Sequence, residues 1–267
     1  MTTALEDAFY YWTQTRKLPF TAGGYMLFYN MMNGPRGFTF APHLEPIAYG
    51  LMDDRIPKLM VIIGPGAGKS LCLSTVYPAF RLGCDPTTTI VGVSAGEKLI
   101  QGFMSAVMEW VEHSEQWKLL FPNVRPNKDL KWSTESGMFV TGHDKGDADA
   151  SYFAAGLTST KLPGVHARLM LLDDIHNEEN SSSEEQCLKV RDTYYRTILG
   201  RADPRGARFI LAGRRWHTED LYGHLQKSED WVVMTLPAER PGSTELYWDV
   251  HIPDGLVCCF NDGTYKL

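Results

Sequence analysis

An α/β fold with a mainly parallel central sheet flanked by helices is what this sequence predicts, and three observations predict it. Continuous apolar runs of strand length recur at residues 59–63, 169–172 and 209–212. A strand covered on both faces needs apolar side chains in succession rather than in alternation. Segments of helical periodicity separate these runs, the alternation that builds βαβ units. Each run also ends abruptly, at Gly64-Pro65-Gly66, at Asp173-Asp174 and at Gly213-Arg214.

Taken in order, residues 1–36 read as a small helical N-terminal extension of one or two helices. Leu5, Phe9, Trp12 and Thr13 fall at helical spacing, Tyr25-Met26-Leu27-Phe28 begins a second apolar stretch, and Asn33-Gly34-Pro35-Arg36-Gly37 breaks it. Residues 37–240 read as the core. In it, strand 59–63 is followed by a helix over 69–82 that Gly83 stops, then by strand 88–93. A helix over 95–113 shows Leu99, Phe103, Val107 and Trp110 on one face. Strands follow at 138–140, 152–155 and 169–172, then a helix over 183–199 and strand 209–212. Thr218 is placed to cap a further helix, with Glu219 and Asp220 at its positive end, and strand 231–234 closes the series. Residues 241–267 read as an irregular tail or linker.

The bulk properties exclude several classes. The chain has 267 residues, 43% of them hydrophobic, enough for the packed interior of one large domain. No apolar run approaches the roughly 18–20 residues of a membrane span, and the first residues lack the basic and apolar regions of a secretory signal. No membrane association or secretion is expected. The five cysteines are odd in number, two are adjacent and no CxxC pair occurs, which suits reduced thiols better than a disulfide framework or a zinc site. A formal charge of −6 argues against nucleic-acid binding over the whole surface, so any DNA contact is a local patch or arises within an assembly.

The sharpest motif is Gly64-Pro65-Gly66-Ala67-Gly68-Lys69-Ser70, which follows an apolar strand and opens a helix. Glycines let backbone N–H groups converge on phosphate oxygens, and the helix N-terminus adds its positive end. Gly64, Pro65, Gly66, Ala67, Gly68, Lys69 and Ser70 are therefore the candidate ATP-binding residues, with Lys69 toward the β- and γ-phosphates and Ser70 toward Mg²⁺. Ile63 stands where the usual pattern has its first glycine, and the competing reading is a glycine-rich turn with an incidental Lys-Ser.

Asp173 and Asp174 close a second apolar strand, and ligands gather at such strand ends. Asp173 is the candidate Mg²⁺ ligand and Asp174 the candidate base for an attacking water, two tasks that NTP hydrolysis assigns to carboxylates. Glu178 and Glu179 follow within a turn and compete with Asp174. An acidic turn after a core strand is the plainer alternative, and the glycine loop upstream weighs against it. At the third strand end, Arg214-Arg215-Trp216-His217 could present a cation to the γ-phosphate, with Arg215 the candidate. A solvated basic turn around a packed Trp216 is the simpler account of that segment alone.

Together these segments resemble the large terminase subunits of tailed phages, from about His43 to Pro237. His43-Leu44-Glu45-Pro46-Ile47 is similar to a segment that precedes the family's P-loop strand, where the first Walker A position is often not glycine. Trp117-Lys118-Leu119-Leu120-Phe121-Pro122-Asn123-Val124, the Thr- and Gly-rich stretch 156–164, the double-Asp Walker B, the Arg-Trp-His coupling segment and Pro237-Ala238 follow in the family's order. Two positions depart from it: Pro65 stands where the family often has arginine, and Arg214 where it often has Thr or Ser.

The resemblance implies a P-loop NTPase of RecA/ASCE-like fold. It implies an ATPase motor that uses ATP and Mg²⁺ to drive double-stranded DNA into a procapsid in the host cell cytoplasm. The partners it implies are the portal protein, the terminase small subunit and further copies of the chain in a ring. The family's complete subunits continue into an RNase H-like nuclease. A chain ending at Leu267 reads as the ATPase portion alone, with no DNA cleavage of its own. A trans-acting arginine would come from Arg81, Arg125, Arg201 or Arg205, among which the sequence does not choose. Another P-loop enzyme (a kinase or a helicase-like ATPase) and a nucleotide-binding assembly factor that does not hydrolyse are the alternatives.

Overall fold

In the computed structural model, which describes residues 3–144, 146, 148–236 and 247–265, the apolar runs become strands of a single sheet. They are β1 (Lys58–Ile63), β2 (Ile90–Ser94), β3 (Trp132–Ser133), β4 (Gly137–Met138), β5 (Tyr152–Gly156), β6 (Leu169–Asp173), β7 (Arg208–Gly213), β8 (Val232–Leu236) and β9 (Asp249–His251). Their order is β3-β4-β5-β2-β6-β7-β1-β8-β9. The run from β5 to β8 is parallel, and the short edge strands β3, β4 and β9 are antiparallel. This is the mainly parallel α/β sheet that the apolar runs predict.

Period-two alternation explains why the central strands are apolar throughout. Leu59, Val61 and Ile63 of β1 enter one core cluster, while Met60 and Ile62 enter the other on the opposite face. Helices cover both faces. On the first lie α2 (Ala22–Asn33), α3 (Glu45–Met52), α4 (Tyr77–Cys84), α5 (Glu97–His113) and α6 (Glu115–Leu120), and on the second α7 (Glu184–Thr193) and α8 (Leu221–Gln226). Each large side chain so buried is worth about 1.5–3 kcal/mol.

The N-terminal helices α1 (Thr3–Thr15) and α2 share this core. Thr21 caps α2 by accepting from the Gly24 amide, and the fully buried Tyr25 donates its hydroxyl to the Cys72 carbonyl at 2.7 Å. A side chain at Gly23 would overlap the Ala4 carbonyl, so glycine is what lets α1 cross so closely.

Several expected boundaries differ. The helix after β1 opens into a turn of π-helix, Leu71–Val76, and continues as α4 through Gly83 to Cys84. Pro78 has no N–H to offer the Ser74 carbonyl four residues back, which disturbs regular helix there. Gly83 is needed for space rather than as a stop, since the Phe121 ring fills the place of a Cβ. On α5 the buried face is Ile100, Met104, Val107, Trp110 and Val111, one residue round from the expected stripe, and Leu99 is exposed.

The expected strand 138–140 is only Gly137–Met138, because the chain beyond it pairs with residues 125–127. The helix expected over 183–199 gives way after α7 to a π turn, Tyr194–Ile198. The cap of α8 is Asp220, not Thr218: its carboxylate accepts from the Gly223 amide at 2.8 Å.

Of the expected tail, residues 249–251 pair with β8 as β9. The Cys259 amide donates to Asp53 Oδ2 at 2.7 Å, and Arg55 bridges Asp53 and Asp262. Pro237 and Ala238 lie outside the described residues. All five cysteines are free thiols, and among the described residues no helix is long and apolar enough to cross a membrane.

Candidate functional site

The glycine loop and the Asp173–Asp174 pair meet at the carboxyl ends of β1 and β6. β1 runs into the loop of residues 64–70, where Gly66 (φ +77°) and Gly68 (φ +83°) take the left-handed conformation. Added Cβ atoms there would have room, so it is backbone conformation that selects glycine. Lys69 and Ser70 begin the helix that follows.

Two neighbours brace the loop. His43 Nε2 donates to the Ala67 carbonyl at 2.9 Å, and the Trp248 indole N–H donates to the His43 carbonyl at 2.8 Å. Trp248 had no signal in the sequence, and His43 only that of its segment.

β7 separates β1 from β6, yet the two strand ends converge. Lys69 is buried, and its Nζ donates to Asp174 Oδ2 at 2.8 Å. Asp174 takes a positive φ of 45°, uncommon for a residue with a side chain although Asp tolerates it. Neighbouring strands hold it there: its amide donates to the Ala212 carbonyl of β7, and its carbonyl accepts from the Ala95 amide after β2. Gly213 gives it space, since a Cβ there would overlap the Tyr222 hydroxyl and lie 3.2 Å from Asp174 Oδ1.

Asp173 is 1% exposed. Its Oδ2 accepts from the Ser74 hydroxyl at 2.7 Å, the Ser70 side chain lies within reach, and Oδ1 is buried without a hydrogen-bond partner. Burial, reinforced by the neighbouring Asp174 charge, pushes its carboxyl above the usual range. One lysine thus faces two carboxylates. That donor set, with Ser70 in reach of a carboxylate that keeps one unpartnered oxygen, fits a hard divalent cation. Among the described residues no group of three or more His, Cys, Asp or Glu side chains forms a metal cage.

The other candidates stand apart. Glu178 and Glu179 are exposed on a 3₁₀ turn, where Asn177 and Asn180 exchange amide-to-side-chain hydrogen bonds. Arg215 is engaged by Asp220 (Nε to Oδ1, 2.8 Å), by Gln226 and by the carbonyls of His217 and Thr218. Arg214 stacks its guanidinium 3.9 Å from the Trp216 ring centroid.

Elsewhere, Arg81 pairs with Asp54 and stacks on Phe20, Arg125 donates to the Pro122 carbonyl, and Arg205 pairs with Asp203. A cavity of about 740 Å³ bordered by Asn127, Lys131, Phe139, His143 and Asp144 contains none of the site residues.

Two residues organise this region: Asp220, expected only as an acid at the helix start, and His176, which carried no sequence signal. Asp220, fully buried, accepts from the amides of Trp216, His217 and Gly223 as well as from Arg215. His176 links the turn after Asp174 to α8: Nε2 accepts from the Leu221 amide at 2.9 Å, which leaves the proton on Nδ1 for the Ser181 hydroxyl at 3.1 Å. No protein-family model matches the chain, and no curated protein matches it.

Proposed function

We propose that residues 64–70 form a P-loop and that the chain binds ATP with Mg²⁺ and hydrolyses it. The observation that carries this reading is the meeting of Lys69 with Asp174 above a loop whose two left-handed glycines leave its amides free to gather anionic oxygens. A ligand phosphate would take Lys69 Nζ from Asp174 and satisfy it with more negative charge. Ser70 and Asp173 are the residues that would hold Mg²⁺, which when bound supplies neutralisation of the phosphate charge. Asp174, freed from Lys69, would orient a water and accept its proton. Glu178 and Glu179, exposed on the following turn, compete for that role, and Arg215 could reach a phosphate only by leaving Asp220.

The wider role rests on the order of the sequence motifs. In that reading the chain is the ATPase motor of a terminase-like packaging machine that acts on double-stranded DNA, docked on a portal with a small subunit and further copies of itself.

Phosphate release, measured with and without double-stranded DNA and with Lys69→Ala as control, tests both levels. Release that depends on Lys69 and rises with DNA is expected. Lys69-independent release would remove the ATPase reading. Lys69-dependent release indifferent to DNA would remove the motor and leave the ATPase. Binding without turnover would point instead to a nucleotide-binding assembly factor.

A further inference from the structure

A buried hydroxyl beside the carboxylate pair has no part in the roles above. Ser74 is 1% exposed and donates to Asp173 Oδ2 at 2.7 Å. It stands four residues after Ser70, so both side chains leave one face of the turn after the glycine loop, and both reach Asp173. Its backbone is held as well. Pro78 cannot donate to the Ser74 carbonyl, and the buried Tyr152 hydroxyl does so instead at 3.3 Å. The surrounding Leu71–Val76 segment is a π turn, a form that concentrates at functional sites.

The consequence appears at the other carboxylate oxygen. With Oδ2 taken by Ser74, Oδ1 of Asp173 is left buried and unpartnered. Such an oxygen is costly in the absence of a ligand, and a hard cation shared with the Ser70 hydroxyl would satisfy it.

We propose that Ser74 is a positioning residue for a divalent cation: it occupies Oδ2 of Asp173 and so fixes a carboxylate, also in reach of Ser70, with Oδ1 as the free acceptor. This rests on the reading of the site as one for a Mg²⁺–nucleotide. Ser74 touches neither cation nor nucleotide, so its loss acts on the cation's contribution to binding and leaves the nucleotide's own affinity alone.

The test is equilibrium binding of a fluorescent ADP analogue to the full chain, in EDTA and across a Mg²⁺ titration. Ser74→Ala should bind as wild type does in EDTA and need about tenfold more Mg²⁺ for half-maximal enhancement, the scale on which outer-shell partners act. Ser74→Cys, nearly isosteric and a weak donor, should shift in the same direction even if the alanine variant folds poorly. Ser74→Thr, which keeps the hydroxyl, should stay near wild type. Unchanged Mg²⁺ midpoints in the alanine and cysteine variants overturn the proposal alone, as does equal weakening with and without Mg²⁺. A wild-type chain that binds no nucleotide overturns the nucleotide reading and this proposal with it.

Discussion

Lys69 and Asp174 lie 105 residues apart in the chain, yet Nζ and Oδ2 meet at 2.8 Å. Without ligand, each is the other's partner. If the loop holds phosphate as proposed, Lys69→Ala should lower nucleotide affinity at least tenfold, because it removes the motif's lysine, while the fold stays intact by circular dichroism. Affinity equal to wild type in a binding titration would show that the loop holds no phosphate.

Asp174→Asn should keep nucleotide binding and lose about 10²-fold or more in turnover, in the range of lost general-base catalysis. Asparagine tolerates the positive φ that Asp174 adopts, so the backbone there should survive. Glu178→Gln and Glu179→Gln should remain near wild type. The opposite pattern in single-turnover phosphate release would move the base further along the turn.

Asp220→Ala should destabilise the chain by about 2–4 kcal/mol in urea denaturation, since it removes a helix cap and leaves several donors without their acceptor. Asp220→Asn, which keeps one acceptor oxygen, should cost less. If the two variants unfold at the same denaturant concentration as wild type, the four hydrogen bonds to this carboxylate do not organise the loop.

Acid should weaken the fold in two stages. Burial holds the His176 imidazole below its ordinary value of 6.5, and burial moves His224 the same way. The unfolded chain therefore takes up protons first, and stability falls as the pH drops below about 6.5. Asp203, held at about 2 by its hydrogen bonds to Arg205, adds its loss only below about pH 4. Denaturation midpoints measured between about pH 7.5 and 5 should decline in wild type and decline less in His176→Gln, whose amide oxygen can accept from Leu221. Equal slopes would show that His176 is not the group that titrates.

Turnover per chain should rise with protein concentration. Arg81, Arg125, Arg205 and Arg215 are each engaged away from Asp174, and an arginine supplied to the γ-phosphate is worth roughly 10³–10⁵ in rate. On the proposed ATPase reading, a neighbouring copy would be the source, through Arg81, Arg125, Arg201 or Arg205. A flat rate across a dilution series would place the whole site in one chain.

The loop and the paired aspartates were legible because each is one short covalent stretch: an apolar strand followed by residues that cannot continue it. The same holds for the central strands, which need no partner to announce burial on both faces. Ser74 and His176 were not legible, since each acts through a group that only folding brings near, and Asp220 was legible as an acid at a helix start but not as its cap. Leu99 and Ile100 both suit a helical stripe, and packing against the sheet chose Ile100. β9 has three residues, with Asp249 and His251 exposed, so no apolar run marks it. Pro78 was in plain view, and with it the warning that the helix after the loop is not regular.

The position of β1 has a consequence for how the molecule comes into being. β1 emerges early in synthesis, but its partners are β7 and β8, with Ile62 beside Gly213 and Thr235. Such pairings between distant parts of the chain form late and slowly. The strand that carries the glycine loop cannot settle in the sheet until nearly the whole core has been made. A nascent chain on the ribosome would hold the loop's sequence long before the loop is seated in the sheet, so on the proposed reading capture of a nucleotide would report that folding is complete.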